Sequence, residues 1–238
     1  MLILAFETSA KAASVALHDG NGLLGESYQN TGLTHSQTLM VMAEDLLKQC
    51  GKTASDVTAV AVAEGPGSFT GVRIGVAAAK GFAWGAQLPC YGVSTLEAMA
   101  RNLGVYQGYV VPAMDARRNQ VYNARFKVKN GCPIRLTEDR AIALEDLKEE
   151  ILAEGGNPQI LVGDGTTLCY NKFSEWNVTT VLPPPHLRLQ SAWGVARAAL
   201  EAARAGKTQT AAGLVPDYHR LSQAERERAE KLKEKKGE

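Results

Sequence analysis

Apolar and polar positions along this 238-residue chain fall into two rounds of one rhythm. Leu2–Phe6 is a continuous apolar run, the mark of a strand buried on both faces, and it ends at Glu7-Thr8-Ser9. Ala13–Leu17 and Leu23–Tyr28 read as the arms of a hairpin about Asp19-Gly20-Asn21-Gly22. Behind a capping Thr34, the residues Leu39, Met42, Ala43, Leu46 and Leu47 recur at helical spacing. A strand at Val57–Ala63, a helix rich in small residues and a short strand at Cys90–Val93 follow. The order is β-β-β-α-β-α. The second round opens with the apolar run Tyr109–Met114, which again ends in an acid, Asp115. Gln120–Lys127 alternates as one strand, Asn130-Gly131 turns, and Ile134–Leu136 starts a third strand. Leu144–Leu152 is helical, Gln159–Val162 is a strand ending at Gly163-Asp164-Gly165, and Ser191–Ala205 is an alanine-rich helix. The pattern predicts an α/β protein of two related lobes, ending in a charge-dense tail, Gln223–Glu238, that is solvated.

One segment stands out from this rhythm. Glu64-Gly65-Pro66-Gly67-Ser68-Phe69-Thr70-Gly71-Val72-Arg73-Ile74-Gly75 carries the chain from a strand straight into a helix. Its glycines allow positive φ and close backbone approach, and Ser68 or Thr70 can cap the first turn. Such a turn leaves backbone amides at a helix N-terminus, where an anion or a partner's carboxylate can bind. The bland alternative is a tight structural turn. The following helix, with Ala77, Ala78, Ala79, Gly81, Ala83, Gly85 and Ala86, is thin enough for another helix to come close, within the chain or from a second one.

Composition narrows the classes. A formal net charge of +1 draws the chain to no polyanion as a whole. Four scattered cysteines, Cys50, Cys90, Cys132 and Cys169, lack metal or redox spacing and fit a reducing, cytoplasmic setting. The first residues lack the basic start of a signal peptide, and no apolar run approaches a membrane span. Glu7 and Asp115 could face each other across a cleft as a metal-holding or water-activating pair, or simply cap turns at strand ends. His35 beside Ser36 invites a nucleophile–base pair, but neighbours on a helix point in different directions.

ILAFETSA, THSQTLM, EGPGSFTGVRIGVAAAKGFAWG, GVSTLEAMA, MDARRNQVY and PDYHRLSQAERE, in this order, resemble the TsaB family, bacterial proteins needed for threonylcarbamoyladenosine in tRNA. The resemblance spans nearly the whole chain. It implies a two-lobed actin-like ATPase fold of duplicated β-β-β-α-β-α units, shared with heat-shock chaperones and sugar kinases. It also implies lobes at residues 1–103 and 104–187, and a final helix with tail at 188–238 that in the superfamily crosses back to the first lobe.

The resemblance implies a non-catalytic subunit that pairs with TsaD, the paralogous transferase, and supports association of the ATPase TsaE. Transfer to adenosine 37 of tRNAs reading codons that begin with A, and contact with tRNA, would run through that complex. It implies no catalytic residue, no metal and no intrinsic cofactor, with ATP or ADP placed at the complex interface. The histidine ligands of TsaD would fall on Thr95 and Met99, which are poor ligands. The two helices after Thr34 and Thr70 are the expected partner face, with Val41, Leu46, Val72, Ile74, Val76 and Ala79 as contacts or supporting core. The same face would make a homodimer when the chain is alone. Polar candidates for the cleft are Glu7, Thr8, Gly65, Gly67, Ser68, Arg73, Asp115 and Arg117. The rival reading is a stand-alone metal-dependent peptidase or weak ATPase of the same superfamily.

Overall fold

The apolar run that opens each round becomes the central strand of a sheet. In the computed structural model, which describes residues 1–219, the first sheet has the order β3-β2-β1-β4-β5. Its strands are β1 (Ile3–Glu7), β2 (Ala13–His18), β3 (Leu23–Gln29), β4 (Ala59–Gly65) and β5 (Cys90–Ser94). β1 runs antiparallel to β2 and parallel to β4. The second sheet repeats the arrangement as β10-β7-β6-β11-β12. These strands are β6 (Gly108–Asp115), β7 (Gln120–Asn123), β10 (Arg140–Ala143), β11 (Gln159–Val162) and β12 (Thr180–Val181). A hairpin of β8 (Phe126–Lys129) and β9 (Cys132–Arg135), attached to β6 through β8, has no counterpart in the first round.

Period-2 alternation decides which residues meet which helix. From β1, Leu4 and Phe6 join α1 (His35–Gln49) and α2 (Phe69–Ala86) in one core. Ile3 and Ala5 face the other way, toward α6 (Ala192–Arg204) and Ala98 of α3 (Thr95–Asn102). Burial on both faces explains why β1 reads as a continuous apolar run. A third core joins the lobes: Leu96, Met99 and Leu103 from the α3 region pack on Val110, Met114, Phe126 and Val162 of the second sheet. The outer face of that sheet is covered by α4 (Leu144–Ala153) and α5 (Thr166–Glu175), through Leu147, Ile151, Cys169 and Phe173.

The structure departs from the sequence pattern in three places. Gln120–Lys127 is two strands, β7 and β8, because β6 carries Pro112, which has no N–H for the ladder. The side-chain amide of Asn123 donates to the Pro112 carbonyl (2.8 Å), and the chain steps past the gap. The third strand of the round is therefore β10; the expected strand at Ile134–Leu136 falls partly in the inserted β9. α3, α5 and β12 are additional elements. The charged segment Gln223–Glu238 lies outside the described residues. Among the described residues, no helix is long and apolar enough to cross a membrane.

Candidate functional site

The glycine run is packed from below by the exit of β1. The Ser68 amide donates to the Ser9 carbonyl (2.6 Å), and Thr8 Oγ1 donates to the Gly71 carbonyl (2.7 Å). Ser68 caps α2 by accepting from the Gly71 amide at 3.3 Å. A Cβ on Gly67 would strike the Ser9 carbonyl, and one on Gly71 the Thr8 carbonyl. These close contacts make the turn a packed joint that sets the register of α2. Gly65 precedes a cis proline, Pro66, and has a φ of 132°. Replacing Gly71 with Ala forces backbone apart rather than a flexible side chain. The expected loss, read by chemical denaturation, is about 3 kcal/mol.

Above the joint, the structure sorts the six residues expected at the partner face. Leu46, Val72, Val76 and Ala79 are buried in the core beneath α1 and α2, so they support the face and cannot touch a partner. Ile74 is half-buried at its margin, and Val41 is 56% exposed. Thr34, at the N-cap of α1, makes no side-chain capping bond. His35 instead ties that turn down through Nε2 to the Ala10 carbonyl, 2.8 Å away, a structural role that leaves the nucleophile–base pairing without support.

The sequence marked α2 as thin, but not which of its sides is open. Thr70, Arg73, Ala77, Gly81, Trp84 and Gly85 are exposed and recur at helical spacing on one side. Nothing lies within 4 Å of where a Cβ on Gly81 or Gly85 would sit. With Trp84 at 65% exposure, α2 presents a thin, largely apolar side, while α1 exposes Met40 and Val41 among polar residues such as Gln37, Glu44 and Lys48. Arg73 is not directed at a ligand: its guanidinium lies 3.7 Å from the Phe69 ring centre, and Nε donates to the Tyr218 hydroxyl at 2.6 Å. Tyr218 belongs to the segment after α6, which returns across α2. Gln209 bridges Cys90, Leu214 enters the first core, and the Asp217 amide donates to the Glu64 carbonyl at 2.7 Å. Burial, with Asp217 and Asp139 nearby, pushes the Glu64 carboxyl up to about 7.

Between the lobes, at the ends of β1 and β6, lie Glu7 and Asp115, with Asp164 after β11 as a third acid. Asp164 accepts from the Asp115 amide at 3.3 Å, and its charge is felt by Glu7. Glu7 is fully buried; one carboxyl oxygen accepts from the Ser9 amide (2.6 Å), while the other, like the Ser9 hydroxyl, has no partner. Burial raises the Glu7 carboxyl to about 7 and also lifts Asp164. Arg117 is exposed at the tip after β6, with Arg117, Arg118 and Asn119 all at positive φ, and its amide donates to Asp115 (2.6 Å). The Thr8 hydroxyl and the Ser68 amide are both engaged within the chain. Thr95 and Met99, where metal-binding histidines would fall, are buried, Met99 in the interlobe core. Among the described residues, no three His, Cys, Asp or Glu side chains form a metal-binding group.

With this geometry in hand, comparison with known proteins is decisive. A family model described as TsaD, tRNA N6-adenosine threonylcarbamoyltransferase, matches residues 29–227. A curated relative from Bacillus subtilis, the tRNA threonylcarbamoyladenosine biosynthesis protein TsaB, is 36% identical over 94% of this chain and 96% of its own length. The chain belongs to the TsaB family. Its structure is similar to that of YeaZ from Pseudomonas aeruginosa, with a TM-score of 0.77 and 26% identity, over 91% of this chain and 99% of that one. A remoter neighbour is the activator of 2-hydroxyisocaproyl-CoA dehydratase from Clostridium difficile, solved with bound ADPNP. It has a TM-score of 0.50 at 13% identity, covers 87% of this chain and 97% of that one, and shares the fold alone. The architecture is the two-lobed actin-like ATPase fold. Within that frame, Glu7, Asp115 and Asp164 stand at the strand ends between the lobes.

Proposed function

We propose that this chain is a non-catalytic subunit in the synthesis of threonylcarbamoyladenosine in tRNA, acting by docking a TsaD-type transferase on its α1–α2 face. The observation that carries this reading is the open side of α2, where Ala77, Gly81 and Gly85 are exposed and the glycines have no neighbour, flanked by Met40, Val41 and Trp84. A thin helix side lets a second helix approach closely, and an apolar face of this kind is stabilised when covered. The paired helices hold the transferase in its working shape and complete a surface for TsaE, through which tRNA is reached. Without the transferase, two copies cover the same face. A nucleotide used by the assembly sits at the composite interface, away from the acid-lined cleft, and the assembly works in the cytoplasm.

The reading is tested by size-exclusion chromatography of the purified chain with TsaD from the same organism. Expected is a shift of both proteins into one stable peak, with Val41→Arg in this chain weakening it. Separate peaks at micromolar concentrations, or ATP turnover by this chain alone, contradict the docking role.

A further inference from the structure

We propose that Asp139 is the bolt of a lock that holds the two lobes in one fixed relation. Two-lobed enzymes of the kinase type open and close around their ligand by hinge motion. This chain carries a polar network across the junction where such motion would occur. Ser94, at the end of β5 in the first lobe, donates through Oγ to Asp139 Oδ2 at 2.5 Å. Asp139 lies between β9 and β10 in the second lobe, and its side chain is 9% exposed. Its other oxygen accepts from Arg135 Nη1 at 2.5 Å. The same guanidinium reaches back to Glu97 of α3 at 3.5 Å, and Glu97 is held in turn by Arg101, with Nε at 3.0 Å and Nη2 at 2.8 Å. Arg135 also lies 4.8 Å from the Phe126 ring centre, in the interlobe core.

Three features make this a lock rather than a surface decoration. Both Asp139 oxygens are engaged, one by each lobe, so neither lobe can move without breaking a charge-assisted bond. Ser94 is also the N-cap of α3, accepting from the Glu97 amide at 3.1 Å, so movement of the second lobe would pull on the helix that joins the sheets. The network borders the apolar core formed by Leu96, Met99 and Leu103 with the second sheet, and opening would wet both together. A locked pair of lobes gives one surface of constant shape, whatever nucleotide is present.

Pulsed electron resonance between spin labels at Lys52→Cys and Glu149→Cys, exposed positions in the two lobes, measures the interlobe distance. Cys50→Ser and Cys132→Ser remove the accessible native thiols, and an excess of unlabelled chain suppresses distances between copies. Expected is a single narrow distance, unchanged by ATP or ADP, and a second, longer distance in Asp139→Ala. Arg135→Gln, which keeps a hydrogen-bonding side chain, provides the same readout if Asp139→Ala does not fold. A broad or nucleotide-dependent distance in the wild-type chain, or a single unchanged distance in the folded variant, overturns the lock.

Discussion

Gly81→Leu weakens docking of the transferase by up to about a hundredfold while leaving this chain folded. Gly81 is exposed on α2 with no atom within 4 Å of its Cβ position, so a leucine meets nothing in the single chain. Leucine is also the better helix former, by roughly 0.5–1 kcal/mol. The melting temperature therefore stays level or rises. At the interface, the same side chain occupies the space into which a partner helix must come. Overpacking of a close contact costs about 1–3 kcal/mol, a roughly fivefold to 150-fold loss of affinity. Val76→Arg or Ala79→Arg would not make this distinction. Both residues are in the core, and an unpaired charge there unfolds the chain before any partner is met. Unchanged affinity of the Gly81→Leu chain for TsaD, measured by calorimetric titration, removes the stripe from the interface.

Glu7→Gln stabilises the protein, and does so more at higher pH. Burial raises the Glu7 carboxyl from its ordinary 4.5 to about 7. Below the lower value, the folded and unfolded chains both hold the proton, and ionisation contributes nothing. Between the two values, the folded chain keeps the proton while the unfolded chain has released it, so stability falls as pH rises. Above about 7 the penalty is complete, at roughly 3 kcal/mol. Glutamine has the shape of the neutral acid and carries no such penalty. In urea titrations, the variant's advantage is expected to be under about 1 kcal/mol at pH 5 and roughly 3 kcal/mol at pH 8. Glu64 and Asp164 are also raised by burial, but both proteins share them, so the difference isolates Glu7. A constant difference across this range would show that Glu7 is ionised in the folded chain at neutral pH.

The first lobe was the legible half of the fold. Its strands are long, apolar on both faces or cleanly paired, and punctuated by Asp19-Gly20-Asn21-Gly22 and the glycine run. The elements that escaped notice were harder for local reasons. α3 is a short helix whose polar side is only Glu97 and Arg101, set against the buried Thr95, Leu96, Ala98, Met99 and Ala100, a pattern too brief to give it away. α5 buries only Thr166, Cys169 and Phe173, a faint signal among polar residues. The break between β7 and β8 depends on Pro112 in a strand far along the chain, which alternation in Gln120–Lys127 cannot register.

The candidate site divides in the same way. Glycine spacing marked the joint, but not which glycines are filled and which are open. Gly71 and Gly81 look alike in sequence; one abuts the Thr8 carbonyl and the other faces outward. Apolar spacing likewise marked α1 and α2 as an interface pair while mixing Val41, at the surface, with Val76, beneath it. Asp164 meets Asp115 only because β6 and β11 lie side by side. A glycine-flanked acid after a strand was the one signal that could have singled it out.

Nucleoside mass spectrometry of tRNA from cells depleted of this chain tests the central claim, that the protein serves threonylcarbamoyladenosine synthesis by docking and without chemistry of its own. Depletion is expected to remove the modified nucleoside. The wild-type chain and the doubly substituted Glu7→Gln, Asp115→Asn chain restore it, and Gly81→Leu does not. Full restoration by Gly81→Leu together with failure of the doubly substituted chain, expressed at wild-type levels, would contradict the account and move the function into the cleft.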